Sequence, residues 1–129
     1  MRKRQPVVAV VDDDLGMRKS FDALLTAFGY RVELYKNAEE FFAAKPAEKP
    51  ACLVLDVFLS DITGIELSRQ MLAAGIKVPT VFVSASKDQM SRRQAVELGC
   101  VAFLEKPFAP RLLIEAVATA TGPDPFFER

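Results

Sequence analysis

The sequence predicts an α/β protein: a doubly wound, parallel five-stranded sheet with helices on both faces. Three observations predict it. Short apolar runs and longer segments of helical periodicity alternate five times along the chain. The runs at 7–11, 51–55 and 79–83 are apolar almost throughout rather than at every second residue, as parallel strands covered on both faces require. Gly29, Gly75 and Gly99 each close a helical segment in the manner of a C′ residue. With right-handed crossovers, the expected strand order is 2-1-3-4-5, the flavodoxin-like (βα)5 arrangement.

Taken in order, the first strand (7–11) runs into Asp12-Asp13-Asp14, a turn that also supplies a helix N-cap. In the first helix, Met17, Phe21, Leu24, Leu25 and Phe28 recur on one face up to Gly29. The second strand (31–35) alternates polar and apolar residues, which suits a more exposed position. Asn37 caps a short helix through Ala44, and Lys45-Pro-Ala-Glu-Lys-Pro50 is a polar loop. The third strand ends at Asp56. A helix over 64–74 follows, then the fourth strand (79–83) with Ser84 at its end. The fourth helix (87–98) has a weak apolar stripe, with Arg92, Arg93, Gln94 and Glu97 crowding Met90, Ala95 and Leu98. The fifth strand (101–104) leads to Glu105-Lys106-Pro107, and Pro110 opens the last helix, whose apolar face carries Leu113, Ala116, Val117 and Ala120. Gly122-Pro-Asp-Pro125 breaks that helix. Residues 1–129 therefore read as a single domain with its core over about 7–121 and a tail or linker remnant over 122–129.

Composition narrows the chemistry. Lys plus Arg and Asp plus Glu both number 17, so no net charge argues for direct binding to nucleic acid or to an anionic membrane. The basic start Met1-Arg-Lys-Arg4 precedes an apolar run of only five residues, too short for a signal peptide or a membrane span, and the cytoplasm is the expected location. Cys52 and Cys100 match no zinc spacing and are expected to be free, buried thiols. The absence of histidine excludes histidine acid–base catalysis, histidine metal ligands and an internal phosphohistidine.

What remains is a set of strand ends. In the predicted order, Asp12 and Asp13 at the end of strand one stand beside Asp56 at the end of strand three, at the switch point of the sheet. Three carboxylates so close cannot all stay ionised without a cation, and their oxygens suit a hard metal such as Mg2+. Lys106 would balance further charge, and Ser84 would offer a hydroxyl to an oxyanion. Acceptor carboxylate, metal, ammonium and hydroxyl are the parts that phosphoryl transfer to an aspartate needs.

Val10-Val-Asp-Asp13, Leu53-Val-Leu-Asp56, Val83-Ser-Ala85 and Phe103-Leu-Glu-Lys-Pro-Phe108 together resemble the receiver domain of two-component response regulators, over residues 7–120. The resemblance is strongest to receivers that carry a helix-turn-helix output. It implies that Asp56 accepts a phosphoryl group from a sensor histidine kinase or a phosphotransfer protein. Asp13 would ligate Mg2+ directly and Asp12 mainly through water, with the Phe58 backbone carbonyl as a further ligand. Ser84 would contact the phosphoryl oxygens, Phe103 would be the aromatic that turns as Ser84 moves, and Gly64 would close the loop after the acceptor. Output would pass through the helix four, strand five, helix five face, with transcription as its target. A homodimer through that face is compatible with the pattern. The break at residues 122–125 favours a receiver cut from a longer regulator over one that acts alone by docking.

The chain departs from the common pattern after the acceptor. Ser60 stands where many receivers have proline, and Asp61 and Thr63 replace the usual residues before Gly64, so a more mobile or differently turned loop is expected. Ser84 replaces the commoner threonine, and Phe58 and Ser86 are placed to tune water access to a phosphoryl group. Two other readings stay open at this level. The run ending in Asp12-Asp-Asp14 also fits a haloacid-dehalogenase-like phosphatase with Asp12 as nucleophile, although Asp56 is then unexplained and no acidic pair follows Lys106. A receiver-like binding module that takes no phosphoryl group is the second. As bland alternatives, the Asp triplet could be only a turn and cap, Phe103 only core, and Phe126-Phe127 only a linker remnant.

Overall fold

The computed structural model describes residues 5–44, 49–87 and 89–122. The basic start, Lys45 to Glu48 of the polar loop, Asp88 and the tail from Pro123, with Phe126 and Phe127, lie outside the described residues. Five strands and five helices alternate: β1 (Val7–Val11), α1 (Leu15–Ala27), β2 (Arg31–Tyr35), α2 (Ala38–Ala43), β3 (Cys52–Asp56), α3 (Gly64–Ala73), β4 (Thr80–Ser84), α4 (Gln89–Glu97), β5 (Ala102–Glu105) and α5 (Pro110–Thr121). All strand pairs are parallel and the order is β2-β1-β3-β4-β5, as expected from the sequence.

The sheet separates two cores. On one face Val8, Val10, Cys52, Val54, Val81 and Val83 pack against Phe21 and Leu25 of α1 and Leu113, Ala116 and Val117 of α5. On the other, Ala9, Val11, Leu53, Leu55 and Phe82 meet Ile65, Leu67 and Met71 of α3 and Ala95 of α4. Alternate residues of a strand point to opposite faces, so unbroken apolar runs are what a sheet covered twice demands. β1, β3 and β4 are buried along their whole length, whereas the edge strand β2 is half-exposed.

Three local expectations need correction. Phe28 does not join the apolar face of α1; it is the C-cap residue and lies exposed, because the helix ends one residue earlier. Glu105 belongs inside β5, where it pairs with Ser84 at the end of β4, rather than just beyond the strand. Cys100 is free but only half-buried, while Cys52 is fully buried and desolvation pushes its thiol pKa up to about 12. α4 meets its expectation of a weak apolar stripe: of its side chains only Ser91 and Ala95 are buried.

Candidate phosphoryl-acceptor site

The carboxyl ends of β1, β3, β4 and β5 deliver the candidate residues to one edge. Asp12 continues β1, its N–H donating to the Tyr35 carbonyl at 3.0 Å. Its side chain is wholly buried. One carboxylate oxygen accepts the Asp14 N–H at 2.9 Å and the other accepts from the Lys106 ammonium at 3.0 Å. Asp13 faces solvent. Asp14 is structural, as its cap-like position suggests: it caps α1 by accepting the Met17 N–H at 3.1 Å. Arg18, which the sequence did not single out, donates to the Asp12 carbonyl at 2.8 Å and fastens this turn from one helical turn on.

Asp56 closes β3, paired with Val83 of β4, and is 6% exposed. The loop after it is tightly folded. Val57 donates to the Val83 carbonyl at 2.9 Å, Gly64 donates to the Val57 carbonyl at 2.7 Å, and Phe58 and Thr63 form a bridge across the loop. Gly64 is required there because a Cβ would run into the Asp56 carbonyl oxygen. Asp61 adds a tie absent from any sequence expectation: its two carboxylate oxygens accept the Ala38 and Glu39 N–H groups at 3.2 and 2.9 Å, at the start of α2. Desolvation pushes the Asp61 pKa up, but the Glu39, Ile62 and Ala38 N–H groups outweigh it and hold the pKa below the ordinary value. Thr63 caps α3 through the Glu66 N–H at 3.1 Å. Of the departures for which a more mobile or differently turned loop was expected, Asp61 ties the loop to α2 and Thr63 ties it to α3.

Among the described residues, Asp12, Asp13 and Asp56 offer carboxylate oxygens that all lie within 4.8 Å of one another. The Lys106 ammonium stands 3.7 Å from Asp56. Burial raises the Asp56 pKa from 3.8 to about 6, and the negative charges of Asp12 and Asp13 push the same way, against Lys106 and the Phe58 N–H, which donates to Asp56 at 3.3 Å. Such a crowd of hard oxygen donors with one side open to solvent fits a divalent cation. Ser84 is fully buried, its Oγ accepting the Ser86 N–H at 3.1 Å, and its carbonyl accepts the Lys106 N–H at 2.7 Å. The Lys106–Pro107 peptide bond is cis. The Phe58 ring points outward, 48% exposed. Phe103 is half-buried on β5, away from the acidic cluster, with Arg92 of α4 stacked on its ring.

Comparison with known proteins shows the family. The response regulator receiver domain profile matches residues 8–118, and the chain belongs to that family, the receivers of two-component systems. It is similar to the transcriptional regulatory protein FixJ of Rhizobium meliloti (strain 1021), 34% identical over 88% of this chain and 56% of that protein. It is also similar to nodulation protein W of Bradyrhizobium diazoefficiens, 33% identical over 92% of this chain and 52% of that one. Among solved structures, a response regulator receiver protein from Burkholderia phymatum superimposes with a TM-score of 0.80, 35% identity and coverage of 93% and 98% of the two chains. The chain thus spans about half the length of the curated relatives it matches.

Proposed function

We propose that this receiver is a phosphorylation-driven switch whose acceptor is Asp56. The observation that carries the reading is the meeting of three carboxylates within 4.8 Å of one another beside the Lys106 ammonium. A pKa of about 6 leaves the Asp56 carboxylate largely ionised at neutral pH, hence nucleophilic, while its neighbours keep it from being inert. Its oxygen attacks the phosphorus of a phosphohistidine on a sensor kinase or phosphotransfer protein. A P–O bond forms, the P–N bond breaks, and the electron pair leaves on the imidazole nitrogen. Asp12, Asp13, Asp56 and the Phe58 carbonyl would hold Mg2+, which when bound supplies positive charge to the phosphoryl oxygens. Lys106 adds its own charge from the other side. Ser84, whose oxygen accepts from Ser86, still has its hydroxyl proton to donate to a phosphoryl oxygen.

Ser84 moving toward that group, with Phe103 turning into the space beside it, would carry the signal to the face formed by α4, β5 and α5. The poor burial of α4 supports that choice, since a loosely held element shifts at low cost. The readout would be an output domain or a second copy docked on that face, and transcription is the target suggested by the names of the relatives. The phosphatase reading is disfavoured by Asp12, which is wholly buried with both carboxylate oxygens engaged.

The test is incubation with a small phosphodonor and Mg2+, followed by mass mapping of the modified peptide. An adduct on Asp56 that vanishes in Asp56→Asn is expected. An adduct on Asp12 would instead establish the phosphatase chemistry, and no adduct at all a binding module.

A further inference from the structure

α4 is held to the sheet by little apolar surface. Met90 and Val96 are exposed, and its two buried side chains, Ser91 and Ala95, are small. Arg92 supplies a different attachment. Its guanidinium carbon sits 4.9 Å from the centroid of the Phe103 ring, and its Nη2 lies 3.3 Å from Oε1 of Glu105. Phe103 and Glu105 are two residues apart on β5, so they share one face of the sheet. That face is the one α4 covers, since Phe103 packs against the cluster containing Ala95 and Phe82.

The two residues gripped by Arg92 are placed where the switch must act. Glu105 pairs with Ser84 across β4 and β5 and immediately precedes Lys106. Phe103 pairs with Phe82 in the same register. One flexible cation on α4 therefore touches the aromatic expected to turn and the neighbour of the lysine expected to bind the phosphoryl group. A cation–π contact needs the ring within about 6 Å of the charge, so a turn that carries the Phe103 ring beyond that distance breaks it.

We propose that Arg92 is a positioning residue that sets the resting state of the switch, holding the Phe103 ring in its present place and α4 against β5 until Asp56 is phosphorylated. The proposal rests on the function proposed above and adds its regulation. Removing the latch raises the population of the active arrangement in the unphosphorylated protein. A ligand that prefers that arrangement then binds with higher apparent affinity, because less of its binding energy goes into shifting the equilibrium.

The experiment is a calorimetric titration of beryllofluoride, a phosphoryl mimic, at saturating Mg2+, on the parent, Arg92→Gln, Glu105→Gln and the double variant. Arg92→Gln keeps the length of the stem and loses the charge. It is expected to bind about fivefold tighter, equivalent to about 1 kcal/mol. Glu105→Gln should give a smaller gain, and the double variant less than the sum, because the two residues act through one contact. Melting temperatures measured alongside separate this role from a merely structural one, since general damage weakens binding and stability together, whereas a released latch tightens binding. If the parent binds the mimic and Arg92→Gln binds it equally or more weakly, the role of Arg92 is refuted alone. If the parent does not bind it, the proposed function fails first, and the role of Arg92 with it.

Discussion

The Lys106 ammonium lies closer to Asp12, at 3.0 Å, than to Asp56, at 3.7 Å. Its side chain reaches carboxylates placed by β1 and β3, while its backbone N–H donates to the Ser84 carbonyl of β4 at 2.7 Å. The lysine thus sits between two buried carboxylates, and its charge is felt by both.

Replacing Lys106 by methionine removes the cation that lowers the Asp56 pKa against the stronger effect of burial. The Asp56 carboxyl should then titrate above about 6, as read by carbon NMR of labelled protein, and phosphorylation by a small donor should slow by more than tenfold, about 1.4 kcal/mol or more in the barrier.

Asp56 also imposes a pH dependence on stability. Its pKa is about 6 in the folded chain against an ordinary 3.8, so the folded state binds the proton more tightly than the unfolded chain does. The resulting stabilisation is complete below pH 3.8, fades as pH rises through about 6, and is absent at neutral pH. Asp56→Asn, uncharged throughout, should therefore unfold at higher temperature than the parent at neutral pH in chelator. The gap, about 3 kcal/mol at most for a shift of roughly two pH units, should close toward pH 4. Adding Mg2+ at neutral pH should raise the melting temperature of the parent more than that of the variant, because the ion offsets the charge repulsion that the variant lacks.

Gly64→Ala forces a methyl group into the Asp56 carbonyl oxygen and within 3.0 Å of Leu55. The loop or the end of β3 must move, at a cost of about 1–3 kcal/mol. Chemical denaturation should show that loss, and Asp56 phosphorylation should fall with it because Asp56 itself is displaced.

Asp61→Ala removes the carboxylate that receives the first two N–H groups of α2. Amide exchange at Ala38 and Glu39 should quicken, while exchange in β1 and β3 stays as in the parent. Unchanged exchange at both residues would show that α2 is held by other contacts.

The framework was legible because each physical requirement left a mark in sequence. Strands covered on both faces leave unbroken apolar runs such as residues 51–55, and the half-exposed edge strand β2 leaves alternation. The same holds for Asp12, Asp13 and Asp56, since a carboxylate directly after a buried strand has little structural excuse. Helix ends were less sharp: Phe28 continues the helical period of α1 but falls just past the last turn, where periodicity carries no information about termination. Contacts of the helices and loops with distant partners were less legible than those of the strand ends. Asp61 meets α2 over a separation of more than twenty residues, and Arg92 meets Glu105 across the gap between helix and strand. In sequence, Asp61 was only a departure from the loop pattern and Arg92 a polar residue crowding the stripe of helix four, and only the packing of the helices gives each its partner. For that reason the departures after Asp56 suggested a more mobile or differently turned loop without revealing the ties that Asp61 and Thr63 make.

The central claim is that Asp56, and no other carboxylate of the acidic cluster, carries the phosphoryl group. It is tested most directly by treating the protein with a small phosphodonor and Mg2+, reducing the product with borohydride, and sequencing it by mass spectrometry. Reduction converts an aspartyl phosphate to homoserine at the residue that bore it. Homoserine at position 56, absent without Mg2+ and absent in Asp56→Asn, is the predicted result; homoserine at position 12 or 13, or none in the parent under any condition, would contradict it.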